Sequence, residues 1–221
     1  MEVMHKRYLN DWFTGAWPGS WSRGELYNDD PRLGDARLCG TTASLVGIES
    51  AESDPRALER AVRCDLMLHA WMLTQSGIPV LYSGDEVAQL NDYGYHDDPD
   101  READSRYLHR GRFDWDKARG RSDPESPQGQ VFSGLKQLTH IRAAQGVFHA
   151  DAAVRTLDTG DISVLGVERA YGGEVLTALF NFSEHEKRVT VEAPGVDLVR
   201  GTEVPEGAYI LPPYGFLWCK H

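Results

Sequence analysis

The amino-acid sequence predicts an α/β segment followed by an all-β domain that folds as a small antiparallel β-sandwich. Apolar residues recur at helical spacing after Asp54 and again after Ser126, and a short, wholly apolar run lies between them at residues 78–82. From residue 149 onward the pattern changes to short alternating runs separated by turn residues, which is typical of antiparallel strands. These two residue patterns predict a helix–strand–helix segment before the β domain.

The composition excludes several classes of partner. The 221 residues are 41% hydrophobic and 26% charged, as in an ordinary globular protein of one or two domains. The 34 acidic residues outnumber the 23 basic ones, so neither nucleic acid nor an anionic membrane surface is an expected partner. No long apolar run and no signal-peptide core occur, which favours a cytoplasmic location. Three scattered cysteines predict buried small hydrophobic side chains and no zinc site: Cys39, Cys64 and Cys219.

Local signals divide the chain into zones 1–53, 54–148 and 149–221. The first zone is dense in turn-forming residues and is predicted to be a long ordered loop or a small insertion. In the second zone, Asp54 and Ser126, each followed by proline, predict two helix starts. In the third zone, a Gly-Gly pair at 172–173 predicts a hairpin turn. Strands are expected at 162–167, 174–182, 188–192, 208–211 and 216–219.

Two acidic clusters are expected to be structural. Asp85 and Glu86 follow the apolar run, where catalytic carboxylates lie in α/β barrels. Adjacent side chains in an extended segment point to opposite sides, so these two cannot easily flank one glycosidic bond. The run 96–100 offers oxygens for Ca²⁺ but lacks the spacing of a calcium loop, which favours a solvated acidic loop.

Three further groups stay open on local grounds. The run 104–110 either clamps a carboxylate or hydroxyls through an arginine or forms a surface ion-pair cluster. Arg37 either binds a ligand or pairs with Asp35. A set of aromatic residues either stacks on sugar rings or forms a small core of its own. Its members are Tyr8, Trp12, Phe13, Trp17 and Trp21.

Residues 75–87 resemble the last barrel strand of the α-amylase family, glycoside hydrolase family 13. The shared pattern is a glycine, an aliphatic residue, a proline, an apolar run, a tyrosine and then Gly-Asp-Glu. Amylosucrases within that family are the closer resemblance, and it covers essentially the whole chain. The shared motifs are, in order, Leu9-Asn10, Gly34-Asp35-x-Arg37, Gly40-Thr41, Gly84-Asp85-Glu86, Leu90-Asn91-Asp92, Asp104-Ser105-Arg106-aromatic-x-His109-Arg110, Asn181-Phe182-Ser183-Glu184 and Pro212-Pro213-Tyr214 with Trp218.

This resemblance implies a fold and a reaction. The fold is α/β plus all-β: the terminal part of a (β/α)8 TIM barrel followed by a C-terminal antiparallel β-sandwich. Residues 1–53 would end a loop insertion on the acceptor side, 54–148 would be the last helix–strand–helix of the barrel, and 149–221 would be the sandwich. The reaction would be retaining glucosyl transfer from sucrose to a growing α-1,4-glucan, with release of fructose and no cofactor or metal.

The resemblance also assigns four substrate-binding positions. Arg37 matches an arginine that contacts the fructosyl or acceptor unit, and Arg106 matches the arginine that closes the glucose pocket by pairing with an upstream aspartate. Tyr8 falls where amylosucrases carry an aromatic residue. Lys6 falls where an arginine that contacts the acceptor chain is expected, and lysine cannot make a planar bidentate contact.

The catalytic Asp, Glu and Asp of the family would all precede residue 1, so this chain alone is expected to be inactive and to need the N-terminal part of the barrel as a partner. A sucrose hydrolase or another α-glucosidase of the family is the alternative enzyme. The alternative of another class is a noncatalytic carbohydrate-binding sandwich at 149–221. Its aromatic residues are Tyr171, Tyr209, Tyr214 and Trp218.

Overall fold

The computed structural model describes residues 3–30, 32, 35–51 and 53–221, which form two compact units. The first unit comprises 1–62 and 81–132, and the second comprises 63–80 and 133–221. No helix in the described ranges is both long and apolar enough to cross a membrane.

The first unit begins with a helix, a hairpin and a short helix. These are α1 (Val3–Phe13), β1 (Glu25–Asp30), β2 (Asp35–Cys39) and α2 (Thr42–Leu45), with β1 antiparallel to β2. The expected loop or insertion is thus partly regular structure, which is a correction. Helix α1 was missed although apolar residues recur in it at helical spacing, as Tyr8 with Trp12 and Leu9 with Phe13, because the turn-forming residues that follow it dominate this zone. Gly34 lies outside the described residues.

The rest of the first unit contains several short turns, and aspartates cap two of them and a short helix. Turns of 3-10 helix cover Asp85–Val87, Tyr93–Asp97 and Ser105–His109, and α4 covers Trp115–Arg119. The carboxylates of Asp92, Asp104 and Asp114 accept backbone N–H groups at the starts of the second turn, the third turn and α4. Part of the acidic composition of this region therefore satisfies backbone donors.

Both long helices begin where the sequence predicts. Helix α3 spans Pro55–Thr74, and the Asp54 carboxylate accepts the first free N–H groups of this helix. Helix α5 spans Pro127–Ala144, and the Ser126 hydroxyl accepts the N–H of Gly129 at 3.0 Å. These starts were predictable because a cap and a following proline act within a few residues of each other.

The apolar run 78–82 is not a strand, contrary to the prediction. Ile78 and Val80 are 91% and 77% exposed, and no described residue pairs with this segment. A strand needs hydrogen-bonding neighbours, and the described part of the chain supplies none here. The pattern at 78–82 indicated an apolar strand without indicating what it would pair with.

The β domain in the second unit has eight strands in two antiparallel sheets. The larger sheet has the order β3-β4-β5-β10-β7-β8, and the smaller sheet pairs β6 with β9. The strands are β3 (Ala153–Leu157), β4 (Val164–Tyr171), β5 (Glu174–Asn181), β6 (Lys187–Val191), β7 (Gly195–Asp197), β8 (Thr202–Val204), β9 (Gly207–Leu211) and β10 (Phe216–Lys220). The predicted hairpin turn is confirmed, since Gly172 and Gly173 adopt φ of 61° and 88° between β4 and β5. The five expected strands are present, and the short strands β3, β7 and β8 were not predicted.

Side chains of both sheets meet in one apolar core, as a sandwich requires. The buried members are Val164, Leu179, Val189, Val191, Val204, Leu211, Leu217 and Cys219. Cys39 and Cys219 are buried free thiols as predicted, and Cys64 is partly exposed.

Arg169 on β4 is wholly buried in the second unit and binds three backbone carbonyls. Its guanidinium donates to the carbonyl oxygens of Thr74 at 2.8 Å, Val147 at 2.8 Å and His149 at 2.9 Å. Because Thr74 is the last residue of α3, this one side chain ties the end of that helix to the sheet.

Candidate functional site

The hairpin β1–β2 brings both arginines assigned from the resemblance to the same tyrosine. Tyr27 on β1 lies directly opposite Arg37 on β2, so their Cβ atoms share one face of the hairpin. The guanidinium of Arg106 lies over the ring of Tyr27, 4.6 Å from its centroid. We call Tyr27, Arg37, Arg106 and Asp104 the arginine corner.

Asp104 fixes the guanidinium of Arg106 with a planar fork. Nε of Arg106 donates to one carboxylate oxygen at 2.8 Å, and an Nη group donates to the other at 2.7 Å. This charge-assisted pair lowers the pKa of Asp104 to about 2 and raises the pKa of Arg106. Asp104 therefore stays ionised at neutral pH and holds Arg106 in one orientation.

A second set of polar contacts fixes the base of the hairpin. Glu25 accepts a short hydrogen bond from the Tyr95 hydroxyl and lies 2.9 Å from Nε2 of His96. The Ser105 hydroxyl donates to the Leu26 carbonyl at 2.8 Å. Burial, followed by the hydrogen bond to Glu25, raises the pKa of Tyr95, so this phenol remains a proton donor.

Asn91 of the Leu-Asn-Asp motif supports the same region. Its side-chain oxygen accepts the N–H of Thr41 at 2.8 Å, and its own N–H donates to the hydroxyl of Ser44 at 3.0 Å. The Thr41 hydroxyl also caps α2. The motif residue therefore orders the segment that follows β2, although it lies far away along the chain.

His109 lies partly buried beside Tyr82, with ring centroids 5.9 Å apart. Within the described ranges, its buried Nδ1 atom has no hydrogen-bond partner. Burial lowers the pKa of His109, with a further contribution from Arg110. The imidazole is therefore held neutral at physiological pH.

The other two assigned positions lie on α1. Tyr8 is 40% exposed, and its ring meets the ring of Trp17 edge to face at 4.9 Å. Lys6 is half-buried two residues earlier. Helix α1 packs against β2, the strand that carries Arg37. The substrate-binding roles of Lys6, Tyr8, Arg37 and Arg106 stay predictions.

The competing candidates have structural roles or lack support. The Glu86 carboxylate accepts the N–H of Gly84 at 2.8 Å and closes its own turn. In the part of the chain that the structure describes, no group of three or more acidic, histidine or cysteine side chains could hold a metal ion. The side chain of Asp35 lies outside the description, so its pairing with Arg37 stays a prediction.

The aromatic residues of the sandwich do not form a surface platform. Trp218 is fully buried and Tyr214 is 9% exposed. Tyr209 packs against the core, and Tyr171 stacks on His149 with ring centroids 4.4 Å apart. These positions give no support to a noncatalytic carbohydrate-binding sandwich.

Tyr27 and Glu25 were missed by sequence reasoning. Their partners Arg106, Tyr95 and His96 lie more than sixty residues away along the chain. No local spacing could reveal such pairs. The carboxylates of Glu25, Glu86 and Asp104 are each hydrogen-bonded to other groups of the chain.

A comparison with known sequences finds relatives of this chain. Over 165 residues, or 73% of this chain, the sequence is 27% identical to glucosylglycerate phosphorylase of Escherichia coli (strain K12). The chain spans 29% of the length of that relative. No profile of a known protein family matches the chain.

Solved structures show the fold. The trehalulose synthase MutB from Pseudomonas mesoacidophila MX-45 matches 71% of this chain and 38% of its own, with a TM-score of 0.56 and 19% identity. A variant of AmyP in complex with maltotriose matches 73% of this chain over 37% of its own length, with a TM-score of 0.58 and 15% identity. A maltogenic amylase from S. marinus matches 72% of this chain over 19% of its own length, with a TM-score of 0.52 and 19% sequence identity.

By name, these proteins include a phosphorylase, a trehalulose synthase and a maltogenic amylase, and none of them is named an amylosucrase. The solved structures, at 15–19% identity, show that this chain shares its fold with part of each of these enzymes.

Proposed function

We propose that the chain is the C-terminal part of an amylosucrase-like enzyme, which transfers glucosyl units from sucrose to an α-1,4-glucan with retention of configuration. Sucrose and α-glucan are then the partners of the whole protein. The observation that carries the proposal is the arginine corner, where Arg37 and Arg106 lie beside the same Tyr27. The order of the motifs along the chain supports the same choice.

In this proposal, Arg106 is a positioning and binding group. Its fork on Asp104 fixes the guanidinium over Tyr27 while the side chain stays 41% exposed, so it can donate to a sugar hydroxyl with little loss of side-chain freedom. Arg37 is exposed on the neighbouring strand and contacts the fructosyl or acceptor unit. Tyr8 on α1 binds the acceptor chain, and Lys6 contributes at most a single charge there because lysine cannot make the planar bidentate contact of an arginine.

In this proposal, carboxylates outside this chain break the glycosidic bond. A retaining mechanism needs a nucleophile and an acid/base carboxyl about 5 Å apart across the glycosidic bond. Glu25, Glu86 and Asp104 are already committed to hydrogen bonds inside the chain. The resemblance places the catalytic Asp and Glu before residue 1, so the 221-residue chain alone is inactive.

A phosphorylase is the second candidate, and the 27% identity to glucosylglycerate phosphorylase favours it. A phosphorylase passes the glucosyl unit to phosphate rather than to a glucan. A hydrolase passes the unit to water. All three share a glucosyl donor and differ in the acceptor.

One assay separates the three. The protein translated from the full reading frame that contains this chain is incubated with sucrose, with and without phosphate, and the products are quantified. An amylosucrase-like enzyme releases fructose and forms α-glucan without phosphate. Equimolar glucose and fructose identify a hydrolase, phosphate-dependent glucose 1-phosphate identifies a phosphorylase, and an absence of sucrose cleavage contradicts a sucrose-based function.

The inactivity of the chain alone is tested with the same products. The 221-residue chain is incubated with sucrose beside a control without protein. Release of glucose or fructose above that control would contradict the assignment of catalysis to residues outside this chain.

A further inference from the structure

Tyr8 and Trp17 form a pair of exposed, nearly perpendicular aromatic rings, here called the aromatic corner. Their ring centroids lie 4.9 Å apart with an interplanar angle of 81°, and the residues are 40% and 43% exposed. Tyr8 comes from α1, and Trp17 comes from the turn that follows it. The resemblance assigns a role to Tyr8 and none to Trp17.

Backbone hydrogen bonds hold Trp17 in place. The backbone N–H of Trp17 donates to the Asp11 carbonyl at 2.9 Å, and the backbone carbonyl of Trp17 accepts the N–H of Ser20 at 3.0 Å. Gly15 and Gly19 have φ of 81° and 87°, a conformation that glycine adopts without strain and that lets the chain reverse direction here. The reversal brings Trp17 back against Tyr8.

A second layer of aromatic residues supports the corner. The ring centroid of Trp12 lies 6.2 Å from that of Tyr8. The ring of Trp12 also packs edge to face on the ring of Trp21, with centroids 5.0 Å apart. The guanidinium of Arg60 lies 4.6 Å from the Trp21 ring centroid. The exposed rings are therefore pre-organised, and a ligand would lose little affinity to ordering them.

The polar edges of both exposed rings are available to a ligand. Within the described residues, neither the Tyr8 hydroxyl nor the Trp17 indole N–H makes a hydrogen bond. The hydroxyl of Tyr93, by contrast, is bonded inside the chain, since it donates to Glu49 at 2.8 Å. Partly exposed aromatic rings with free polar edges match a sugar, whose pyranose ring has a C–H face and a rim of hydroxyls.

We infer that Trp17 is a second sugar-stacking residue, which together with Tyr8 binds an α-1,4-glucan chain. Successive glucose rings in such a chain are inclined to each other, which suits two inclined aromatic planes better than one flat surface. The inference rests on the proposed function, because it extends the acceptor side beyond Tyr8. It predicts glucan binding by the 221-residue chain without any sucrose chemistry.

The test is titration of the 221-residue chain with maltoheptaose, monitored by calorimetry and by the indole N–H resonance of Trp17. Trp17→Ala is expected to weaken binding about tenfold, whereas Trp17→Phe keeps an aromatic face and retains most of the affinity. The matched control is Trp115→Ala, which removes a 71% exposed tryptophan from another place and should leave the affinity unchanged.

Two results would overturn the inference. One is a wild-type chain that does not bind maltoheptaose, and the other is equal affinity in wild type and a folded Trp17→Ala variant. If Trp17→Phe also keeps wild-type circular dichroism, a loss of binding in that variant contradicts simple stacking. Self-association that disappears in Trp17→Ala without any glucan binding would identify a protein interface instead. Glucan binding without sucrose turnover in the full protein would refute the proposed function and leave this inference standing.

Discussion

The guanidinium of Arg106 lies 4.6 Å from the ring centroid of Tyr27, which joins the turn at 105–109 to the first strand of the hairpin. A cation over an aromatic face contributes about 0.5–1 kcal/mol at an exposed site. The contact contributes modestly to folding, and its larger effect is to hold Arg106 against the strand that pairs with the strand of Arg37.

The ion pair between Asp104 and Arg106 predicts a measurable carboxyl pKa. In the wild-type chain, Asp104 should titrate near pH 2 because the forked hydrogen bonds stabilise its ionised form. Arg106→Gln should return this pKa toward the ordinary value of 3.8. Carbon-13 NMR of the carboxyl resonance measures both values. A control variant, Arg119→Gln, removes an exposed guanidinium elsewhere and should leave Asp104 unchanged.

The sign of this linkage follows from the lowered pKa. The pair stabilises the folded chain above the unfolded pKa near 3.8, and its contribution is lost as the pH falls toward 2. An Asp104 that titrates at an ordinary pH in the wild type would contradict the fork.

Arg169 predicts a large loss of stability on substitution. Arg169→Met should lower the free energy of unfolding by about 3 kcal/mol or more, because three backbone carbonyls, two of them in buried hydrogen bonds, would lose a charged donor. Arg155→Met, on the neighbouring strand, removes an exposed ion pair with Glu168 and should cost less than about 1 kcal/mol. Urea denaturation of the two variants measures the difference, and equal losses would contradict the clamp.

His109 predicts a pH dependence of stability. Its lowered pKa in the folded chain means that the unfolded chain binds the proton more readily. Stability should therefore fall as the pH is lowered from about 6.5 toward the folded pKa. His109→Phe should flatten the curve between pH 7.5 and pH 5, whereas His140→Gln, at an exposed position, should not. A wild-type curve without this slope would show that burial does not perturb His109.

The exposed run at 78–82 predicts self-association. Ile78 and Val80 present apolar side chains beside an unpaired backbone, which is a template for pairing with another chain. Ile78→Lys combined with Val80→Lys should reduce aggregation in light scattering without changing the circular dichroism. Ile162→Lys, which replaces an isolated and fully exposed residue, serves as the control. A wild-type chain that stays monodisperse at high concentration would contradict the prediction.

Local signals predicted local structure well. The helix starts after Asp54 and Ser126 depend on contacts within three residues, and the hairpin at 172–173 depends on two glycines. The strand expected at 78–82 was wrong because strand formation depends on neighbours that the pattern does not specify. Arg169 could not be predicted for the same reason, because its position in β4 does not reveal the three carbonyls to which it donates.

The candidate site was predictable only in part. The resemblance named Arg37 and Arg106, and the structure places both beside Tyr27. Tyr27, Glu25 and Tyr95 could not be found from spacing, because their contacts join segments far apart in the chain. The sequence did not distinguish Trp17 from the other aromatic residues of the first zone. The structure does so, because Trp17 contacts the ring of Tyr8.

The most direct test of the arginine corner is fructose release from sucrose by the protein of the full reading frame, compared between Arg106→Lys and Arg119→Lys. Lysine keeps the charge but cannot form the planar fork on Asp104. The account predicts that Arg106→Lys lowers the rate about a hundredfold and that Arg119→Lys leaves it unchanged, because a misplaced binding group disrupts substrate geometry. Equal rates in wild type and Arg106→Lys would contradict a role for this corner in binding sucrose.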